Sequence, residues 1–112
     1  MDKNEERIAR TEALFRAVNE RIAEAAQRFD SDDAAFVCEC SDEACTERVD
    51  ASLVEYERAR AHSTHFLIRP GHEDTRLERV VERRGNKFAI VEKFNKAIAG
   101  AVRRLNPRPK PA

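Results

Sequence analysis

The sequence predicts an α+β fold: a long N-terminal helix packed on a small, mainly antiparallel sheet, with a short second helix and a further C-terminal helix. Three observations carry this. Ile8, Phe15, Ile22 and Phe29 recur every seven residues, with Thr11, Val18 and Ala25 between them. That is one apolar face at helical spacing. Short runs rich in β-branched and aromatic residues follow around Phe36, Phe66, Val80 and Phe88, as strands require. Between the first two of these runs, Ser52-Leu53-Val54-Glu55 has the form of a capping box that starts a helix.

The first helix is expected over 4–29, a stretch with no Gly or Pro. Leu14 widens its apolar stripe. About 25 residues reach roughly 38 Å at 1.5 Å per residue, long for so small a domain. Two arrangements stay open: the whole stripe packs across the sheet, or part of it projects and pairs with another chain. Asp30-Ser31-Asp32-Asp33 ends this helix as an acidic loop; it lacks the turn glycine of an EF-hand. The first strand is expected over 36–40, and Val49 closes the segment after it. The capped helix runs to about Ala61 with Leu53 and Tyr56 inward. A second strand, 65–69, stops at Pro70-Gly71. Strands at 77–83 and 87–94 are joined by Arg84-Gly85-Asn86, a hairpin signal. Glu78, Glu82, Glu92 and Lys93 among their apolar positions suggest a sheet exposed on one side. Phe94, Ile98, Val102 and Leu105 return to helical spacing, although Gly100 weakens that helix. Residues 1–105 are read as one domain. Residues 106–112, with Pro107, Pro109 and Pro111, are read as a disordered basic tail.

All three cysteines lie within eight positions, in Cys38-Glu39-Cys40-Ser41-Asp42-Glu43-Ala44-Cys45. Side chains two apart on a strand point the same way, so Cys38 and Cys40 share one side and Glu39 takes the other. The polar turn 41–43 returns Cys45 toward the pair. Three thiolates suit a soft-to-borderline cation, and structural zinc takes four such ligands. His62, His65 and His72 are candidates for the fourth. Pro70-Gly71 presents His72 at a loop apex, which favours it. Glu39, Asp42 or a water are weaker candidates, and Glu73 or Asp74 could orient the imidazole. The spacing C-x-C-x4-C is not a standard paired pattern. Reduced cysteines without metal, and thiol redox chemistry, therefore remain as competing readings.

Phe36-Val37-Cys38-Glu39-Cys40, Cys45-Thr46-Glu47-Arg48-Val49, Glu55-Tyr56-Glu57, Pro70-Gly71-His72-Glu73 and Glu78-Arg79-Val80-Val81-Glu82 together resemble a family of small, largely uncharacterised proteins of actinobacterial type. Its members share C-E-C-x4-C and P-G-H-E signatures. The resemblance runs from Asn19-Glu20-Arg21-Ile22 to Val91-Glu92-Lys93 and does not extend past Phe94. It implies that His72 joins Cys38, Cys40 and Cys45. It implies no activity.

Composition narrows the function classes. With 112 residues, 38% charged and 6% aromatic, the apolar core is modest, and a metal cross-link would be a useful staple. No apolar run suits a membrane span, and no h-region follows the charged N-terminus. An odd number of clustered cysteines argues against a secreted disulfide scaffold. A cytoplasmic protein is expected. Residues 1–50 carry 7 Lys/Arg and 14 Asp/Glu; residues 51–112 carry 14 and 7. Either the second half offers a basic surface, or the charges cancel locally on folding. No phosphate-binding loop, nucleophile elbow or deaminase motif is present. The leading expectation is a non-enzymatic, zinc-stabilised interaction or regulatory module, with a protein partner or self-association through the N-terminal helix. The alternatives are nucleic-acid binding through the basic second half and a thiol/zinc redox sensor.

Overall fold

A computed structural model describes residues 3–106. The elements are α1 (Lys3–Arg28), β1 (Asp33–Val37), β2 (Arg48–Ser52), α2 (Leu53–Arg60), β3 (His65–Ile68), β4 (Glu78–Arg84), β5 (Phe88–Lys93) and α3 (Lys96–Arg104). The α+β class is as the sequence predicts. The strands form two sheets, however: an antiparallel β1-β2 pair, and a three-stranded antiparallel sheet in the order β3-β5-β4. The expected tail lies outside the described residues from residue 107 on. Asn106, where that tail was expected to start, accepts a hydrogen bond of 2.6 Å from Arg60 Nη2.

The capping box forms as read. Glu55 N donates to Ser52 Oγ at 3.0 Å, and Ser52 N donates to Glu55 Oε1 at 2.8 Å. Tyr56 is fully buried and stacks on Phe36, with ring centroids 4.4 Å apart; its hydroxyl donates to Glu20 Oε2 at 2.7 Å. β2 was not expected as a strand. Its sequence, Arg-Val-Asp-Ala-Ser, buries Val49 and Ala51 and exposes Arg48 and Asp50. The alternation is present, but Asp and Ala favour strands so weakly that it does not stand out. The β4-β5 hairpin turns at Gly85, whose φ of +54° suits a residue without a Cβ. A bulge between Val80 and Glu82 shifts the register and leaves Val81 exposed. α3 forms despite Gly100. Asn95 caps it by accepting from Ile98 N at 3.1 Å.

α1 corrects the sequence reading most. The side it buries is Ala9, Glu12, Arg16, Asn19, Ala23 and Ala26. This is the apolar stripe turned by one position, about 100° around the axis. Ile8, Phe15 and Ile22 sit half-buried at its border, while Leu14, Val18 and Phe29 are exposed. Polar residues face inward because each meets a partner. Arg16 donates to the carbonyls of Ser63, at 2.7 Å, and His65, and lies 3.8 Å over the Phe66 ring. Glu12 meets Lys93 at 2.6 Å. Lys93 also pairs with Glu78. The expectation of a sheet with Glu78 and Lys93 on an open side is therefore wrong. β5 is the central strand, Phe88 to Val91 are all buried, and Glu78 and Lys93 are 1% and 3% exposed. They carry a closed ion-pair cluster instead of facing water.

Two predictions arise here. α1 ends in a Schellman motif: Ser31 N donates to Ala26 O and Asp30 N to Gln27 O, with Asp30 at φ +55°. Asp30→Gly is expected to raise stability by about 0.5 kcal/mol, read from urea melts. The second concerns Glu12. Burial outweighs the attraction of Lys93 and pushes its pKa up to about 8 from 4.5. The folded chain then holds a proton that the unfolded chain has released. Stability is expected to fall as pH rises from 4.5 to 8, by up to about 1.4 kcal/mol per unit. Urea melts of wild type and Glu12→Gln across this range test it. Equal slopes in the two proteins would exclude the assignment.

Candidate metal centre

The site is assembled where β1 runs out. Asn19 of α1 supplies the pairing groups there: its Oδ1 accepts from Val37 N at 2.8 Å, and its Nδ2 donates to Val37 O at 2.9 Å. The strand ends at Val37, three residues before the expected limit, because the chain beyond it pairs differently. Cys38 N donates to Glu47 O at 3.1 Å, and Glu39 N to Leu67 O at 2.8 Å. The side-chain alternation nevertheless continues as the sequence implies. Glu39 turns into the core with no exposure, where Oε1 accepts from Leu67 N at 2.9 Å and Oε2 from Asn19 Nδ2 at 2.8 Å. Cys38 and Cys40 lie on the opposite side. Burial raises the Glu39 pKa, and the neighbouring Arg16 guanidinium opposes that rise.

Asp42 then forms the return turn. Its Oδ1 accepts from Ala44 N at 2.9 Å and its carbonyl from Cys45 N at 3.0 Å. This closes the loop and brings Cys45 back. From the other side come Arg69-Pro70-Gly71-His72. His72 N donates to Arg69 O at 3.1 Å, and Gly71 has φ +90°. Proline second and a positive-φ glycine third are the demands of a type II turn, which delivers His72 at its last position.

Cys38, Cys40, Cys45 and His72 come together: one ligand atom from each lies within 4.8 Å of all the others. Nδ1 of His72 is 3.6 Å from Cys38 Sγ and 3.7 Å from Cys45 Sγ. These four could hold a metal ion. The two Sγ–Nδ1 distances match the edge of about 3.5 Å that bonds of about 2.3 Å to sulfur and 2.0–2.1 Å to nitrogen give a tetrahedron. Arg69 N donates to Cys38 Sγ at 3.2 Å, support that a thiolate ligand favours.

The thiol protons respond to this crowding. The Cys38 pKa is raised well beyond the ordinary thiol range by its hydrogen bond to Cys40 and by burial. That same bond lowers Cys40 to about 5, assisted by His72 and opposed by burial. Burial raises Cys45.

The remaining sequence candidates lie elsewhere. His62 and His65 pack ring against ring at 4.4 Å, and His65 pairs with Glu92 at 3.2 Å. Asp42 serves the turn through its carboxylate and Glu39 serves the core. Glu73 accepts from Gly71 N and pairs with Arg83, and Asp74 pairs with Arg76. No hydrogen bond found among the described residues runs from either carboxylate to the imidazole. Sequence reasoning missed Asn19. The signal was its placement on α1, seven residues after the buried Glu12, but apolar periodicity hides a polar inward face. No protein-family model matches the sequence, and no curated protein or solved structure matches it either.

Proposed function

We propose that Cys38, Cys40, Cys45 and His72 bind one zinc ion as a closed structural site, and that the chain is a zinc-stabilised interaction module. The observation that carries this reading is the convergence of four soft or borderline donors within 4.8 Å. Three thiolates and an imidazole fill a tetrahedron and leave no position for a reacting water. A role in holding structure fits that donor set better than catalysis.

Binding of nucleic acid by the second half has less support. Six of its basic residues pair with acids of the same half: Arg58 with Glu82, Arg76 with Asp74, Arg79 with Glu92, Arg83 with Glu73, and Arg84 and Lys87 with Glu55. These pairs break up the basic surface into mixed-charge patches, although the half still holds 14 bases against 7 acids. One observation favours a redox variant of the zinc reading: Cys45 is only partly buried. Peroxide would take two electrons from Cys40 and Cys45, leaving a disulfide and water and expelling the ion.

Metal analysis and cobalt substitution test the main reading. The expected result is one metal per chain and the cobalt absorption of a tetrahedral sulfur-rich site. Protein that purifies without metal and whose melting is unmoved by added zinc would exclude it. Peroxide treatment of the zinc form, followed with a chromogenic chelator, tests the redox variant. No metal release while free thiols in solution oxidise would remove it.

A further inference from the structure

The outer side of α1 has a composition that the buried core does not explain. Arg7, Arg10, Leu14, Val18, Arg21, Arg28 and Phe29 are all exposed. Leu14 is 63% exposed and Phe29 79%. At 3.6 residues per turn these seven fall within an arc of about 100°. No acidic residue of the helix lies in that arc. Of the 7 basic residues in 1–50, four are here, in a half with 14 acids. Arg10 is tied to Glu6 at 2.7 Å and Arg7 to Asn4 at 3.2 Å. Arg21 and Arg28 hold no ion pair found among the described residues.

At the N-terminal end the face becomes concave. A groove of about 450 Å³ is lined by Glu6, Arg7, Arg10, Thr11, Leu14 and Glu43. Glu43 belongs to the turn between Cys40 and Cys45, so the groove's far wall is the loop that carries the metal donors.

We propose that this face docks an acidic amphipathic protein segment: its apolar side chains cover Leu14 and Val18, and its carboxylates meet Arg7, Arg21 and Arg28. The inference deepens the interaction-module reading and rests on it. Charge complementarity selects the occupant. A second copy of the chain would set arginines against arginines. An anionic bilayer would meet only three large apolar residues, without the continuous apolar face that interfacial helices bury. A segment with spaced apolar anchors and flanking acids satisfies both features, the mode in which an amphipathic helix is held in a groove.

A display library of helical peptides, panned on the full zinc-loaded chain, tests this. The expected enrichment is of peptides combining Asp or Glu with apolar residues at helical spacing. Their binding should weaken with added salt and fall about tenfold or more when Arg21→Glu and Arg28→Glu are combined. Leu14→Ser should weaken binding as well. Both variants change exposed residues, and unchanged melting and metal content would show that they fold. Enrichment of basic or neutral peptides, no enrichment, or equal binding by the charge-reversed variant would overturn the proposal. So would dimers of the wild type in light scattering, or binding to phosphatidylserine vesicles that the peptides do not displace. Metal content measured on the same sample separates the two readings. A metal-free chain that still selects acidic peptides sinks only the zinc assignment; a loaded chain that selects none sinks only this one.

Discussion

Cys38→Ser is expected to abolish stoichiometric metal binding and to unfold much of the domain at room temperature. Cys38 is 2% exposed and accepts from Arg69 N while facing His72. A serine there offers a harder, less acidic donor, which zinc binds poorly beside thiolates. Structural zinc sites contribute roughly 10–16 kcal/mol of apparent binding energy, against a total stability of about 5–15 kcal/mol for a whole domain. Losing even a third of that would lower the melting temperature by tens of degrees, at roughly 4–8 °C per kcal/mol for a domain near this size. His72→Ala should act in the same direction and less severely, since water or buffer can enter the half-exposed fourth position. Circular dichroism melts with and without a chelator provide the check. If chelator leaves the wild type unmoved and Cys38→Ser melts alongside it, the cysteines are simple core residues.

Lys93→Met is expected to cost about 3–5 kcal/mol. The ammonium is fully buried between Glu12 and Glu78, and a methionine of similar length leaves both carboxylates without it. Glu12 already holds a proton up to about pH 8, because burial drives its pKa upward, and losing the ammonium would only strengthen that hold. Glu78 retains one partner, Asp74 N at 3.1 Å. The loss should therefore be smallest at low pH and grow as pH rises. Replacing all three residues by apolar ones of similar volume is expected to restore most of the stability, because an uncompensated buried charge costs more than a missing ion pair. Chemical denaturation of the single and triple variants separates the two effects. A single variant as stable as wild type would mean that the cluster is hydrated in solution.

The elements legible in the sequence were those whose local chemistry speaks for itself. Ser52 and Glu55 announced α2, Gly85 the hairpin, and Pro70-Gly71 the turn that delivers His72. The alternation around Glu39 placed Cys38 and Cys40 together before any coordinates. Illegible were features that depend on a distant partner. α1 buries Glu12, Arg16 and Asn19 because Lys93, the carbonyls of Ser63 and His65, and Val37 and Glu39 are there to receive them. Hydrophobic periodicity registers transfer from water, and is blind to polar groups that find partners inside. The same blindness turned Glu78 and Lys93 outward in the sequence reading. It also left Leu14, Val18 and Phe29 looking like core when they are surface.

His72 and Cys38 stand 34 positions apart in the chain. An ion gripped by both would tie off the intervening segment as a cross-link does, and the tie would persist in a denatured chain that kept its metal. By the polymer estimate used for disulfides, closing a loop of that length removes about 3–4 kcal/mol of freedom from the disordered ensemble. In that case the metal bonds are the same on both sides of unfolding, and the robustness conferred by the ion would arise from what the loose chain is no longer free to do.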